Sequence, residues 1–123
     1  MSETLQGIVE LPSYIRLAER LFTEKERQDL IDHLAECPKS GAIMEGTGGV
    51  RKLRWGRGSQ GKRGGARVIY YYHDDIMPLY LLALFAKSDK ESLSKAERND
   101  LADLVGVLVG IWKERKNHEQ RIR

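Results

Sequence analysis

The chain has 123 residues, 41% hydrophobic and 32% charged, with 21 Lys and Arg against 18 Asp and Glu, a net charge of +3. That length supports one hydrophobic core and not two, and no run of about 18 apolar residues offers a membrane span. A single cysteine, Cys37, excludes an internal disulfide, and the first residues have neither the basic start nor the apolar stretch of a secretory signal, so a cytoplasmic protein is expected.

Residues 5–11 alternate loosely and read as a first strand, ended by the helix-start signal Pro12-Ser13. Ile15, Leu17, Ala18, Leu21 and Phe22 then fall at helical spacing, predicting an amphipathic helix over 13–21. Thr23-Glu24-Lys25-Glu26 forms a capping box, in which the Thr23 hydroxyl accepts from the Glu26 amide while the Glu26 carboxylate reaches back to Thr23. The helix it opens carries Leu30, Ile31, Leu34 and Ala35 on one face. It should stop at Cys37-Pro38, because the residue before a proline disfavours helical dihedrals. These two helices form an α-hairpin. Cys37 has no histidine at ligand spacing and reads as a small semi-buried residue rather than a metal ligand or nucleophile. Residues 39–49 are a connector anchored by Ile43 and Met44.

Charge is segregated along the chain. Residues 46–73 hold seven cations, Arg51, Lys52, Arg54, Arg57, Lys62, Arg63 and Arg67, and no acidic residue, whereas Asp and Glu crowd 19–45 and 74–104. Both ends of the basic stretch are β-forming and the glycines gather in and beside its loops, so a hairpin presenting cations is expected, a surface that attracts phosphates. Alternation puts Lys52 and Arg54 on one face and Leu53 and Trp55 on the other, with Arg51 at the margin. Arg67 shares a face with Ile69, Tyr71 and His73, but sequence leaves open whether that face is the one of Lys52 and Arg54. Three converging cations would be unfavourable unless an anion, such as a phosphate diester, lay between them. Residues 56–62 also satisfy G-x-G-x-x-G and nearly satisfy a P-loop. Both readings fail, because Arg63 stands where a P-loop needs Ser or Thr and a strand follows where both motifs need a helix.

Asp74-Asp75 reads as a turn, and Pro78 opens the apolar run 79–86, which suits a strand covered on both faces. Ser94-Lys95-Ala96-Glu97 is a second capping box, and Leu101, Leu104, Val105, Leu108 and Ile111 give the last helix its apolar face. Gly106 and Gly110 weaken that helix by about 1 kcal/mol each. The charged residues 113–123 have no apolar face and are expected to fray, leaving residues 1–112 as the domain. The order strand, helix, helix, three strands, helix describes an α+β fold with an antiparallel sheet.

Three blocks carry a family likeness. Gly46-Thr47-Gly48-Gly49-Val50-Arg51-Lys52-Leu53-Arg54, then Gly61-Lys62-Arg63-Gly64-Gly65-Ala66-Arg67-Val68-Ile69-Tyr70-Tyr71-Tyr72, then Leu81-Leu82-Ala83-Leu84-Phe85-Ala86-Lys87 closely resemble, in that order, the RelE/HigB-like toxins of bacterial toxin–antitoxin pairs. The likeness covers about residues 5–112, and its middle block resembles the HigB branch in particular. It implies a small antiparallel sheet packed with an N-terminal α-hairpin and a C-terminal helix. It also implies endonucleolytic cleavage of mRNA, usually in the ribosomal A site, without a metal or other cofactor. The resemblance further implies a bacterial cytoplasmic protein with no membrane partner, silenced by a co-encoded, HigA-like helix-turn-helix antitoxin.

By position, Lys52 and Arg54 match the family's paired basic residues of the second strand, Arg67 the arginine of the third and Lys87 a lysine after the fourth; these are the expected catalytic residues. Fixed cations suit the chemistry, because attack of a ribose 2′-OH on the adjacent phosphate builds negative charge on the phosphorane and on the leaving 5′ oxygen. Arg51, Arg57, Lys62 and Arg63 are candidates for RNA contact, against the alternative of a solvated strand edge. Residues 88–94 lack the tyrosine that best-known RelE toxins carry there. The general base therefore stays open between a lysine and His73, while His33 and His118 read as structural or exposed. Two other readings remain: a ParE-like inhibitor of DNA gyrase, and an RNA-binding domain that cuts nothing.

Overall fold

Eight elements follow one another in a computed structural model that describes residues 5–56, 65–87 and 92–122, with side chains in the last helix to residue 117. They are β1 (Ile8–Glu10), α1 (Pro12–Leu21), α2 (Glu24–Glu36), β2 (Ala42–Ile43), β3 (Val50–Trp55), β4 (Ala66–Tyr71), β5 (Leu79–Ala86) and α3 (Lys95–Ile122). The strands form one mixed sheet in the order β1-β5-β4-β3-β2. Among the described residues no helix is long and apolar enough to cross a membrane.

The α-hairpin forms where local chemistry asks for it. Pro12 opens α1, and Ser13 Oγ donates to the Leu82 carbonyl at 2.6 Å, fastening the helix start to β5. The capping box at α2 closes in both directions, Glu26 N–H to Thr23 Oγ1 at 3.1 Å and Thr23 N–H to Glu26 Oε1 at 2.8 Å. Tyr14, Ala18, Leu30 and Leu34 lose all exposure against Val68, Tyr70, Leu81 and Leu84 of the sheet. Each fully buried leucine there stabilises the fold by roughly 1.5–3 kcal/mol. Glu10 and Arg27 join the end of β1 to α2 at 2.8 Å.

The opposite face of the sheet carries α3. Val50, Ile69, Tyr71, Leu82 and Phe85 pack there with Val105, flanked by Leu101, Leu104, Leu108 and Trp112. Strand β4 lies at the centre of the sheet, and all six of its residues are buried. Its period-two alternation therefore feeds both cores at once.

The α+β class and the helices before and after the sheet match expectation, but the sheet itself is larger than expected and is not purely antiparallel. β1 pairs in parallel with β5, Ile8 opposite Leu79 and Glu10 opposite Leu81, and the expected connector contains the two-residue strand β2. A strand's alternation carries no information about the direction of its neighbour. The chain passes through the α-hairpin and the β2-β3-β4-β5 meander before β5 returns beside β1. Cys37 is exposed rather than semi-buried, because it caps the C-terminus of α2 just before Pro38. α3 runs without a break through Gly106 and Gly110 to Ile122.

Candidate nucleic-acid interface

Pairing between β3 and β4 fixes the register that sequence left open. Arg54 lies directly opposite Arg67, Lys52 opposite Ile69, and Val50 opposite Tyr71. Because residues two apart share a face, Lys52, Arg54 and Arg67 stand together on the α3 side of the sheet. On the other side of β4, Arg67 is opposite Phe85. The Lys87 N–H donates to the Gly65 carbonyl at 3.1 Å, extending the ladder one step, so alternation keeps Lys87 on the face of Phe85 and Arg67.

The burial of these cations is unequal. Arg54 is exposed, Lys52 and Lys87 are half-buried, and Arg67 is only 5% exposed. Nη1 of Arg67 is buried without a hydrogen-bond partner among the described residues. None of Lys52, Arg54, Arg67 and Lys87 forms a salt bridge there either. Like charges directly opposite on a sheet destabilise it, and a buried guanidinium without its partner costs more still. An anion held between Arg54 and Arg67 removes both penalties, and the planar fork of an arginine matches a phosphate's oxygens.

Other candidates lie elsewhere. Arg51 occupies the opposite face of β3, where Nη1 donates to the carbonyls of Lys39 at 3.2 Å and Gly41 at 2.8 Å. The same corner holds Tyr70, whose hydroxyl donates to the Pro38 carbonyl and accepts from the Gly41 N–H, each at 2.8 Å. Gly41 must be glycine here, since a Cβ would stand 2.8 Å from the Tyr70 ring and 3.0 Å from the Lys52 carbonyl. Arg57, Lys62 and Arg63 lie outside the described residues, as do residues 88–91 and the side chain of His118. His33 sits on Trp55, with ring centroids 5.1 Å apart, away from the cations.

His73 follows the far end of β4. The four strand steps from Arg67 to Tyr71 already span about 13 Å. There Nδ1 of His73 lies 3.1 Å from the Tyr71 hydroxyl and Nε2 lies 3.9 Å from Asp74. The structure thus does not bring His73 to the arginine pair. The neighbouring tyrosines are held protonated: burial raises Tyr70 and Tyr71, and the hydrogen bond to Asp75 raises Tyr72 to about 12. Among the described residues no group of three His, Cys, Asp or Glu gathers to hold a metal ion.

One cluster escaped sequence reasoning. Lys95 and Arg98 open α3 and line a cavity of about 380 Å³ with Glu45, Gly46, Leu93 and Asn99. Its signal in the sequence is two cations in the first turn of a helix, where the macrodipole favours acids. Compared with models of known protein families, the chain matches none.

Proposed function

We propose that this chain is the toxin of a bacterial toxin–antitoxin pair, a metal-independent endoribonuclease that cleaves mRNA on the ribosome in the cytoplasm. The reading rests on the resemblance of three sequence blocks and, above all, on Arg67, a nearly fully buried guanidinium with a nitrogen unpartnered among the described residues, opposite a second arginine across one strand pair. Arg54 and Arg67 hold the non-bridging oxygens of one phosphate. The neighbouring ribose 2′ oxygen attacks phosphorus as its proton is removed. The bond to the 5′ oxygen then breaks, and that oxygen takes up a proton, leaving a 2′,3′-cyclic phosphate and a 5′-hydroxyl. Lys52 and Lys87, on the same face, are the groups placed to move those protons. Two fixed cations stabilise the dianionic phosphorane more than the monoanionic ground state.

Brief induction in bacteria, with primer extension on a translated reporter message, tests the reading. The parent should arrest growth and produce new 5′ ends within codons. Arg67→Ala should reduce cleavage by about 10²–10³-fold, the loss that follows removal of one transition-state donor. Arg67→Lys should recover only part, because a lysine offers no bidentate fork. Full toxicity of Arg67→Ala overturns the assignment of Arg67. Relaxed plasmid without message cuts overturns the nuclease in favour of gyrase poisoning, and RNA binding without cuts overturns it in favour of a binding domain.

A further inference from the structure

Resting on that reading, we propose that the cleft between the 44–49 turn and the first turn of α3 is a second phosphate site, in which Arg98 and Lys95 hold the backbone of the same RNA strand one or more nucleotides from the scissile phosphate. Arg98 is half-buried, and its Nε is enclosed without a hydrogen-bond partner among the described residues. Its Nη1 reaches only the Glu45 carbonyl, at 3.4 Å. Lys95 is exposed, and neither cation forms a salt bridge among the described residues. The capping box engages one first-turn amide, that of Glu97, which donates to Ser94 Oγ at 3.1 Å, while the Glu97 carboxylate accepts from the Ser94 N–H at 2.9 Å. Both cations are therefore set against the helix dipole and are ion-paired with no acid among the described residues, an arrangement that an external anion relieves.

Position links this cleft to the arginine pair. The 44–49 turn leads into Val50, where the Met44 N–H donates to the Val50 carbonyl at 2.8 Å. From Val50 the same face of β3 presents Lys52 and then Arg54, each step of two residues advancing about 6.6 Å. Lys52 thus stands between the cleft and the Arg54–Arg67 pair, and the cations form a row rather than a point. The turn is built for close approach, with Gly46 and Gly48 at φ of 77° and 76° and open space where a side chain would stand. Glu45, exposed on the lip, is the one acid among the described residues that line the cleft, and it weakens the site.

The test uses the full chain and a 2′-O-methylated, non-cleavable single-stranded RNA, with fluorescence anisotropy between about 50 and 200 mM salt. Arg98→Ala and Lys95→Gln should each weaken binding and lower the slope of log K against log salt by about 0.7, one phosphate contact on a single strand. Glu45→Gln should tighten binding. A dinucleotide with one phosphate should be insensitive to Arg98→Ala while remaining sensitive to Arg67→Ala. Lys95 is exposed and outside the core, so Lys95→Gln stays informative if Arg98→Ala misfolds. Parental affinity and slope in both cleft variants, with loss in Arg67→Ala, overturn the second site and leave the nuclease reading standing. Absence of salt-dependent binding by the parent overturns both.

Discussion

Arg67 concentrates the conflict between stability and activity in one side chain. Ile69 and Phe85 are its neighbours on the apolar face, yet it brings a cation there and leaves Nη1 unpaired among the described residues. Arg67→Met keeps the length of the stem and removes the charge, so it should stabilise the free protein by about 1–3 kcal/mol while lowering cleavage as far as Arg67→Ala does. Urea unfolding of both forms, with and without inorganic phosphate, measures this. Phosphate should raise the midpoint of the parent more than that of Arg67→Met, because a ligand stabilises a protein in proportion to how well its folded state binds it. Tyr70 is the structural counterpart on the opposite face. Tyr70→Phe strands the Gly41 N–H and the Pro38 carbonyl and should cost about 1–3 kcal/mol in the same measurement.

The helices and the β3–β4 pair differ in how locally they are specified. The α2 cap is a matter of four adjacent residues, so Thr23→Ala should cost about 1 kcal/mol by thermal or urea unfolding and leave RNA cleavage unchanged. In α3, a Cβ at Gly106 or Gly110 meets nothing within 4 Å. Gly106→Ala and Gly110→Ala should each therefore stabilise the helix by up to about 1 kcal/mol, seen as a higher Tm. The capping boxes, the proline boundaries and most of the apolar faces of the helices were legible in the sequence because each depends on residues within a turn or two; Ile111, expected on the apolar face of α3, is 51% exposed. The cation-bearing face of β3 was legible for the same reason, since alternation along one strand is a local property.

Across the whole molecule, the segment before β1 is tied to the β4–β5 loop. Gln6 Nε2 donates to the Met77 carbonyl at 2.6 Å and to the Asp74 carbonyl at 3.2 Å. The Asp74 carboxylate in turn accepts from the backbone N–H groups of Met77 and Ile76, at 2.7 and 3.0 Å. These bonds, that of Met77 first, hold the carboxyl below its ordinary range. A lowered native pKa contributes stability that is present above the unfolded value of about 4 and is lost as pH falls through the native one. Asp74→Ala should therefore lower the urea midpoint at neutral pH, with the gap to the parent closing below about pH 4.

Which strands meet, and in which direction, belongs to this larger level. Every helix, the segments of β1, β3, β4 and β5 and the acid-free run of cations could be read from neighbouring residues, and so could the face shared by Lys52 and Arg54; the short β2 could not. The parallel pairing of β1 with β5, the placement of Arg67 opposite Arg54 and the nearness of Arg98 to the 44–49 turn could not. Each of these joins segments far apart in the chain. A period of two assigns a side chain to a face but is silent about the strand beside it, and the burial of Arg67, with Nη1 unpartnered among the described residues, exists only once β3 and β5 have closed around β4.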